Sequence, residues 1–96
     1  VVPLTQVIRV EGFKSYSTFT LQQRRSVTVS KNLINFERLL PKPFFLRVHK
    51  SHIVNLNCVL RYRKQGTGLL QMEDDSEVPV SPDRKDELLR LLGQYV

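Results

Sequence analysis

The 96-residue chain is long enough for one small domain, and its formal net charge is +6. Hydrophobic residues make up 41% of the chain and charged residues 25%, which is typical of a folded globular domain. The single cysteine excludes an internal disulfide, and no apolar run approaches the roughly 20 residues of a membrane span. A domain of this size buries a modest core, so we expect no deep cofactor cavity.

Basic and acidic residues are unevenly distributed along the chain. Residues 1–72 hold twelve Lys or Arg and two acidic residues, a net charge of +10, whereas residues 73–96 hold three basic and seven acidic residues, a net charge of −4. A basic body with a local acidic segment favours a polyanionic partner that meets one face. A solvated basic surface explains the charge alone equally well.

The first part of the chain predicts three strands and a short helix. Alternating, β-branched segments predict strands at residues 5–10, 16–21 and 26–29, with a loop at 11–15 and a turn at 22–24. Ser30 is a suitable helix N-cap. The helix has an apolar stripe of Leu33, Phe36 and Leu40, and Pro41 ends it.

The second part predicts five strands and a terminal helix. Strands are expected at residues 44–48, 53–56, 59–64, 69–72 and 77–80, with turns at 65–68 and 73–76. Ser81, Pro82 and Asp83 form a strong helix start. The expected buried stripe of that helix is Leu88, Leu91 or Leu92, and Tyr95. The pattern predicts a mostly antiparallel β fold with one internal and one terminal helix.

Few residues suggest catalysis or metal binding. His49 and His52 lie three apart with no Cys or acidic pair nearby in sequence, so a metal site is not expected. Cys58 lies in an apolar run and is interpreted as a small buried hydrophobe. The acids at 73–75 are explained by a hairpin turn. We therefore predict that the chain is not an enzyme and binds no cofactor.

The segment Arg47-Val48-His49-Lys50-Ser51-His52 places several hydrogen-bond donors between two apolar strands. Lys and Arg neutralise phosphates, and Lys, His and Ser also hydrogen-bond base edges. A polar surface loop is the simpler alternative.

This segment carries a family resemblance. Residues 45–56, FLRVHKSHIVNL, closely resemble the hallmark of LytTR domains, the LytR/AlgR-type DNA-binding domains, whose pattern is F-x-R-x-H-[RK]-S-[YH]-[IL]-V-N. Residues 72–81, MEDDSEVPVS, resemble the family's hairpin and helix start, DG-x-x-[IVL]-P-V-S, with Asp75 in place of the turn glycine. Residues 8–12 and the helix ending at Leu40 fall where the family has its first hairpin and helix. The resemblance covers nearly the whole chain.

The resemblance implies an elongated, mostly antiparallel β fold in a single domain spanning residues 1–96. It also implies sequence-specific double-stranded DNA binding, often at direct repeats as a dimer, in the output module of a bacterial two-component response regulator. Such domains usually follow a receiver domain, and the chain does not begin with Met. We therefore expect a piece of a longer cytoplasmic transcription regulator, without a membrane segment.

Three regions of the chain match the family's DNA-facing regions: the loop after the first strand, the hallmark loop and the start of the last helix. The DNA-binding residues expected from them are Phe13, Lys14, Arg47, His49, Lys50, Ser51, Arg84 and Lys85. His49 is expected either to contact DNA or to orient its loop.

The last helix departs from the family pattern. Pro82 and Asp83 replace the usual basic pair, and Asp83 would repel phosphates. Arg84 and Lys85 are expected to take over that contact. This departure also favours an alternative, a protein-interaction or dimerisation module that keeps the fold and has lost DNA binding.

Overall fold

The computed structural model describes residues 2–93, which form two antiparallel sheets and two α-helices. A five-stranded sheet has the order β3-β2-β1-β5-β4, and a three-stranded sheet has the order β6-β7-β8. The strands are β1 (Val7–Phe13), β2 (Tyr16–Leu21), β3 (Arg25–Val29), β4 (Phe45–His49), β5 (His52–Asn55), β6 (Val59–Arg63), β7 (Leu69–Met72) and β8 (Glu77–Pro79). The helices are α1 (Leu33–Leu39) and α2 (Lys85–Gly93). The mostly antiparallel β prediction with one internal and one C-terminal helix is confirmed.

The first hairpin is tighter than the sequence predicts. β1 continues through Phe13, which pairs with Tyr16, so the connection is Lys14 and Ser15 alone and the predicted loop at 11–15 is wrong. Lys14 has a positive φ of 55°, as a two-residue hairpin turn requires. Lysine is not a residue type that predicts a positive φ. The nearby glycine, Gly12, lies inside β1 and not in the turn.

The cap residue differs from the prediction at α1 but not at the last helix. Asn32, not Ser30, is the N-cap of α1, and its side chain makes no capping bond within the described chain. Ser81 is the cap residue before Pro82, as predicted, but no capping bond from its side chain occurs among residues 2–93. One 3₁₀ turn, Pro82–Arg84, precedes α2.

The expected helix stripes face the core. Leu33 and Leu40 are buried at α1 with Phe36 half-buried. Leu88 and Leu91 are buried in α2, and Leu92 is half-buried. The remaining member of the α2 stripe, Tyr95, lies outside the described residues.

Three strands of the five-stranded sheet, β1, β4 and β5, carry buried residues on both faces, whereas most of β3 is exposed. One face packs against α1 around Val10, Leu21 and Ile53, and the other packs against the small sheet and α2 around Val54 and Leu88. Because successive strand residues point to opposite faces, a strand covered on both sides needs consecutive apolar residues. The adjacent pairs Phe45-Leu46 and Ile53-Val54 each split between the two cores in this way.

The hallmark asparagine holds strands together. Asn55 is buried, its Nδ2 donates to the Val7 carbonyl at 2.9 Å, and its Oδ1 accepts from the Asn57 amide at 3.0 Å. A buried amide stays stable only when its polar atoms have partners. This residue therefore serves the fold at the end of β5, where β5 lies next to the start of β1.

Two glycines in the β6–β7 loop offer a matched test of backbone strain. Gly68 has φ 121°, and a Cβ there would lie 2.7 Å from Tyr62 Oη; Gly66 has φ 59° with open space around it. Gly66→Ala should cost about 1–2 kcal/mol of unfolding free energy, the usual penalty for a left-handed alanine. Gly68→Ala should cost clearly more, because strain and a steric clash add. Urea denaturation of both variants measures this, and equal losses would contradict the geometry.

Candidate nucleic-acid interface

The first-hairpin turn (Lys14 and Ser15) and the hallmark turn (Lys50 and Ser51) lie side by side at one end of the five-stranded sheet. β1 runs antiparallel to β5 with Glu11 opposite His52, so the residues after β1 lie beside those before β5. The Gly12 amide donates to the Ser51 carbonyl at 2.8 Å and joins the two segments. Lys14 and Lys50 thereby line one shallow groove of about 230 Å³ with Ser51.

The hallmark turn is shorter than the polar run suggests. His49 ends β4 and His52 begins β5, so only Lys50 and Ser51 form the turn. The His49 Nδ1 accepts from the Ser51 amide at 3.1 Å. This contact supports the loop-orienting alternative for His49, whereas a contact with DNA stays a prediction.

Arg47 contacts the turn from behind. Its Nη1 donates to Glu37 of α1 at 2.9 Å, and its Nη2 donates to the Lys50 carbonyl at 2.6 Å. The side chain is only 17% exposed. These two hydrogen bonds hold the backbone of the turn in place. The predicted contact between Arg47 and DNA stays a prediction.

The start of the last helix lies beside the same strand. The Ser81 amide donates to the Val48 carbonyl at 2.8 Å, so the segment that enters α2 follows the outer edge of β4. Arg84 faces Glu37 with 3.8 Å between Nη1 and Oε2. All three regions predicted to face DNA are therefore connected to one another by hydrogen bonds or ion pairs.

The residues predicted to contact DNA differ in the solvent exposure of their side chains. Phe13 is 70% exposed beside the Lys14 ammonium, which lies 5.4 Å from the ring centroid. Lys50 and Lys85 are exposed. Lysine and arginine side chains that reach into solvent can neutralise phosphates. Arg47 is half-buried and already donates to Glu37 and to the Lys50 carbonyl.

The acidic turn lies at the opposite end of the sheet. Glu73 accepts from Gln22, in the β2–β3 turn, at 2.8 Å, and that turn is at the far end of β2 from Lys14. Arg24 and Arg25 line the same groove as Glu73, Asp74 and Asp75, so opposite charges meet there. The first-hairpin and hallmark turns are therefore separated from Glu73, Asp74 and Asp75, whereas Asp83, Asp86 and Glu87 lie at the start of the last helix.

The sequence model of one family matches this chain over residues 1–93, and the family's description is LytTr DNA-binding domain. The chain belongs to the LytTR family. A solved LytTr DNA-binding domain, from a protein of Bacillus cereus described as a methyl-accepting/DNA response regulator, superposes with a TM-score of 0.85 at 32% identity. That match covers 96% of this chain and 85% of the other.

Curated relatives of this LytTR domain are transcription and signalling proteins. It is 39% identical over 84 residues to the sensory transduction protein LytT of Bacillus subtilis, covering 85% of this chain and 33% of LytT. It is 32% identical to the transcriptional regulatory protein YpdB of Escherichia coli K12, covering 96% of this chain and 38% of YpdB. It is 33% identical to the heme-containing CO-sensing transcriptional regulator RcoM 2 of Paraburkholderia xenovorans, covering 96% and 35%. The chain spans about a third of the length of these relatives.

Glu37 enters the site only in three dimensions. It lies on α1, away from every motif of the sequence, yet its carboxylate lies between Arg47 and Arg84. One sequence signal does point to it, since Glu11 and Glu37 are the two acids among the first 72 residues. A lone acid in a basic segment indicates a specific ionic partner.

The described part of this LytTR domain gives two further findings. Within residues 2–93, no three His, Cys, Asp or Glu side chains lie close enough together to hold a metal ion. None of the helices described is long and apolar enough to cross a membrane.

Cys58 behaves as the sequence predicts. It is buried in the core under β7 and α2. Burial, with the nearby Glu73 carboxylate, raises the pKa of its thiol to about 12. The thiol therefore stays protonated at neutral pH, as a small core side chain should.

His52 is expected to make the stability of the LytTR domain depend on pH. Burial lowers the pKa of His52 below its ordinary 6.5; His49 and Arg9 act in the same direction and Glu11 opposes them. Its Nδ1 is buried without a hydrogen-bond partner among the described residues. Protonation of the folded state is therefore unfavourable relative to the unfolded chain.

We expect the His52 contribution to stability to be complete above pH 6.5 and to be lost as the pH falls below that value. The unfolded chain binds the proton first, so the free energy of unfolding decreases on acidification. Urea midpoints at pH 7.5 and 5.5 should show a smaller decrease for His52→Gln than for the wild type. Identical decreases would show that His52 titrates normally in the folded domain.

Proposed function

We propose that this chain binds double-stranded DNA sequence-specifically, as the output domain of a bacterial transcription regulator in the cytoplasm. The observation that carries the proposal is the convergence of the first-hairpin turn, the hallmark turn and the start of α2 on one end of the sheet. A bacterial two-component regulator with an upstream receiver domain is the setting we propose, by analogy with its relatives. Catalysis has no part in the proposal.

Electrostatics supports this orientation on DNA. Lys14 and Lys50 line one groove, with Phe13 exposed beside Lys14. Positive side chains neutralise phosphates and release counterions, which gives affinity without sequence preference. Polar groups at the tip of a turn can enter the major groove, where each base pair presents a distinct pattern of donors and acceptors. The hallmark turn combines both kinds of group.

The division of work among the turn residues follows from their contacts. We assign Lys50 to base or phosphate contact and Ser51 to phosphate contact. Arg47 is assigned mainly to holding the turn, since its Nη1 donates to Glu37 and its Nη2 donates to the Lys50 carbonyl. Lys14, Arg84 and Lys85 are assigned to the phosphate backbone on either side.

Selection from random duplex DNA with this domain tests the proposed function directly. Enrichment of one motif supports sequence-specific binding, and two copies in tandem would support recognition of direct repeats by a dimer. Absence of any enriched motif would reject the proposal. It would favour the interaction-module alternative, to which the exposed Asp83 gives some support.

Lys50→Ala should leave the fold intact, because Lys50 is exposed, and should weaken DNA binding. If Lys50 contacts a base edge, the loss is about 1–3 kcal/mol and concentrates at one position of the site. If Lys50 contacts a phosphate, affinity decreases evenly across sequences and the salt slope decreases by about 1. Fluorescence anisotropy on cognate and scrambled duplexes at several salt concentrations separates the two.

Lys42→Ala is the matched control for Lys50→Ala. Lys42 is also exposed but precedes β4, at the opposite end of that strand from Lys50. The Lys42→Ala variant removes the same charge as Lys50→Ala and should change the affinity for DNA much less. Equal losses from both variants would reduce the role of Lys50 to general charge.

Replacing Pro82 and Asp83 by arginine should strengthen DNA binding, because Asp83 is exposed beside Arg84 and repels phosphate. The helix start should lose a little stability, since proline and an acid both favour it. Affinity for the selected duplex and thermal unfolding are the two measurements. Unchanged or weaker affinity in a folded double variant would place this turn away from DNA.

A further inference from the structure

Glu37 is not among the residues expected to contact DNA, yet it lies close to two of them. It lies on α1, and its side chain is 21% exposed between two arginines. Its Oε1 lies 2.9 Å from Arg47 Nη1, and its Oε2 lies 3.8 Å from Arg84 Nη1. One carboxylate thus faces a residue of β4 and a residue of the segment that enters α2.

The contact with Arg47 extends to the hallmark turn. Arg47 donates to the Lys50 carbonyl at 2.6 Å, while its Nε is buried with no partner in residues 2–93. Its charge is therefore compensated mainly by Glu37. Removing one member of a poorly solvated ion pair leaves the other uncompensated, and the remaining group then tends to move toward solvent. Loss of Glu37 should release Arg47 and, with it, the backbone at Lys50.

The contact with Arg84 acts on the second segment. At 3.8 Å and with Arg84 35% exposed, this pair is too loose to add much stability. It does place the Arg84 guanidinium beside the carboxylate that Arg47 contacts, on the segment that follows Ser81. The same carboxylate therefore faces the arginine that holds the hallmark turn and an arginine of the last helix start.

We propose that Glu37 is a positioning residue for DNA recognition, which fixes the hallmark turn relative to the start of α2. This inference rests on the proposed function. Glu37 itself would touch no DNA, since a carboxylate near phosphates is repelled. Its contribution is to keep two contact segments in register with successive features of one duplex.

Charge and position make opposite predictions for Glu37→Gln. The variant gains one unit of positive charge, which by electrostatics alone strengthens binding to every duplex. If Glu37 positions the turns, binding to the selected duplex weakens while binding to scrambled duplex stays or strengthens. The ratio of the two affinities should fall roughly tenfold, equivalent to about 1.4 kcal/mol.

Two further variants make the test specific. Asp75→Asn adds the same charge at the opposite end of the sheet, and asparagine tolerates the φ of 69° at that position, so the affinity ratio should stay at the wild-type value. Glu37→Asp keeps the charge but is one methylene shorter and cannot reach both arginines. It should lower the ratio like Glu37→Gln, and it serves alone if Glu37→Gln does not fold.

Amide hydrogen exchange in the DNA-free domain gives a readout that does not depend on DNA. The Gly12 amide, which donates to the Ser51 carbonyl, should exchange faster in Glu37→Gln and as in the wild type in Asp75→Asn. A wild-type affinity ratio in a folded Glu37→Gln, or unchanged Gly12 exchange, overturns the inference. A wild type that does not distinguish the duplexes rejects the proposed function instead, and Gly12 exchange then decides alone whether Glu37 holds the turn.

Discussion

The pairing of β1 with β5 is the constraint on which the site depends. Val10 lies opposite Ile53 and Glu11 opposite His52 across the middle of the five-stranded sheet. Ile53 lies in one core and Val54 in the other, so a slip of one residue would exchange the cores that these side chains face. The register is therefore strongly specified by the core. The same register places Lys14 beside Lys50, because Lys14 follows the end of β1 and Lys50 lies in the turn before the paired start of β5.

Polar groups of the hallmark motif divide between the fold and the surface. Asn55 satisfies backbone groups at one end of β5, and His49 and Arg47 satisfy the turn at the other. Lys50 and Ser51 are left at the tip. A turn that is hydrogen-bonded in this way has fewer conformations available to it, and such preorganisation lowers the entropy lost on binding a ligand. The longest motif of the sequence thus describes mainly how the turn is supported.

Much of the fold could be predicted from sequence, and the failures have physical causes. The strands Tyr16–Leu21 and Leu69–Met72 were predictable to the residue, because alternation and flanking turn residues agree. The first hairpin was not, because the tertiary context holds Lys14 at a positive φ that its residue type does not signal. The cap of α1 was misplaced by two residues, since Ser30 and Asn32 are both good cap residues and packing chooses between them. The ionic partners of Glu37 could not be predicted, because they lie on two other segments; its place as one of two acids in residues 1–72 indicates a pairing without naming the partners.

Within residues 2–93, the left-handed backbone conformation is adopted by four residues other than glycine: Lys14, Gln23, Arg24 and Asp75. Each costs some conformational energy that glycine would avoid. Gln23, Arg24 and Asp75 lie at the end of the sheet away from Lys50, whereas Lys14 lies beside it. Glycine substitutions at the far turns could therefore stabilise the domain without altering its proposed contact surface. Among these four positions, only at Lys14 would such a substitution also remove a proposed DNA contact.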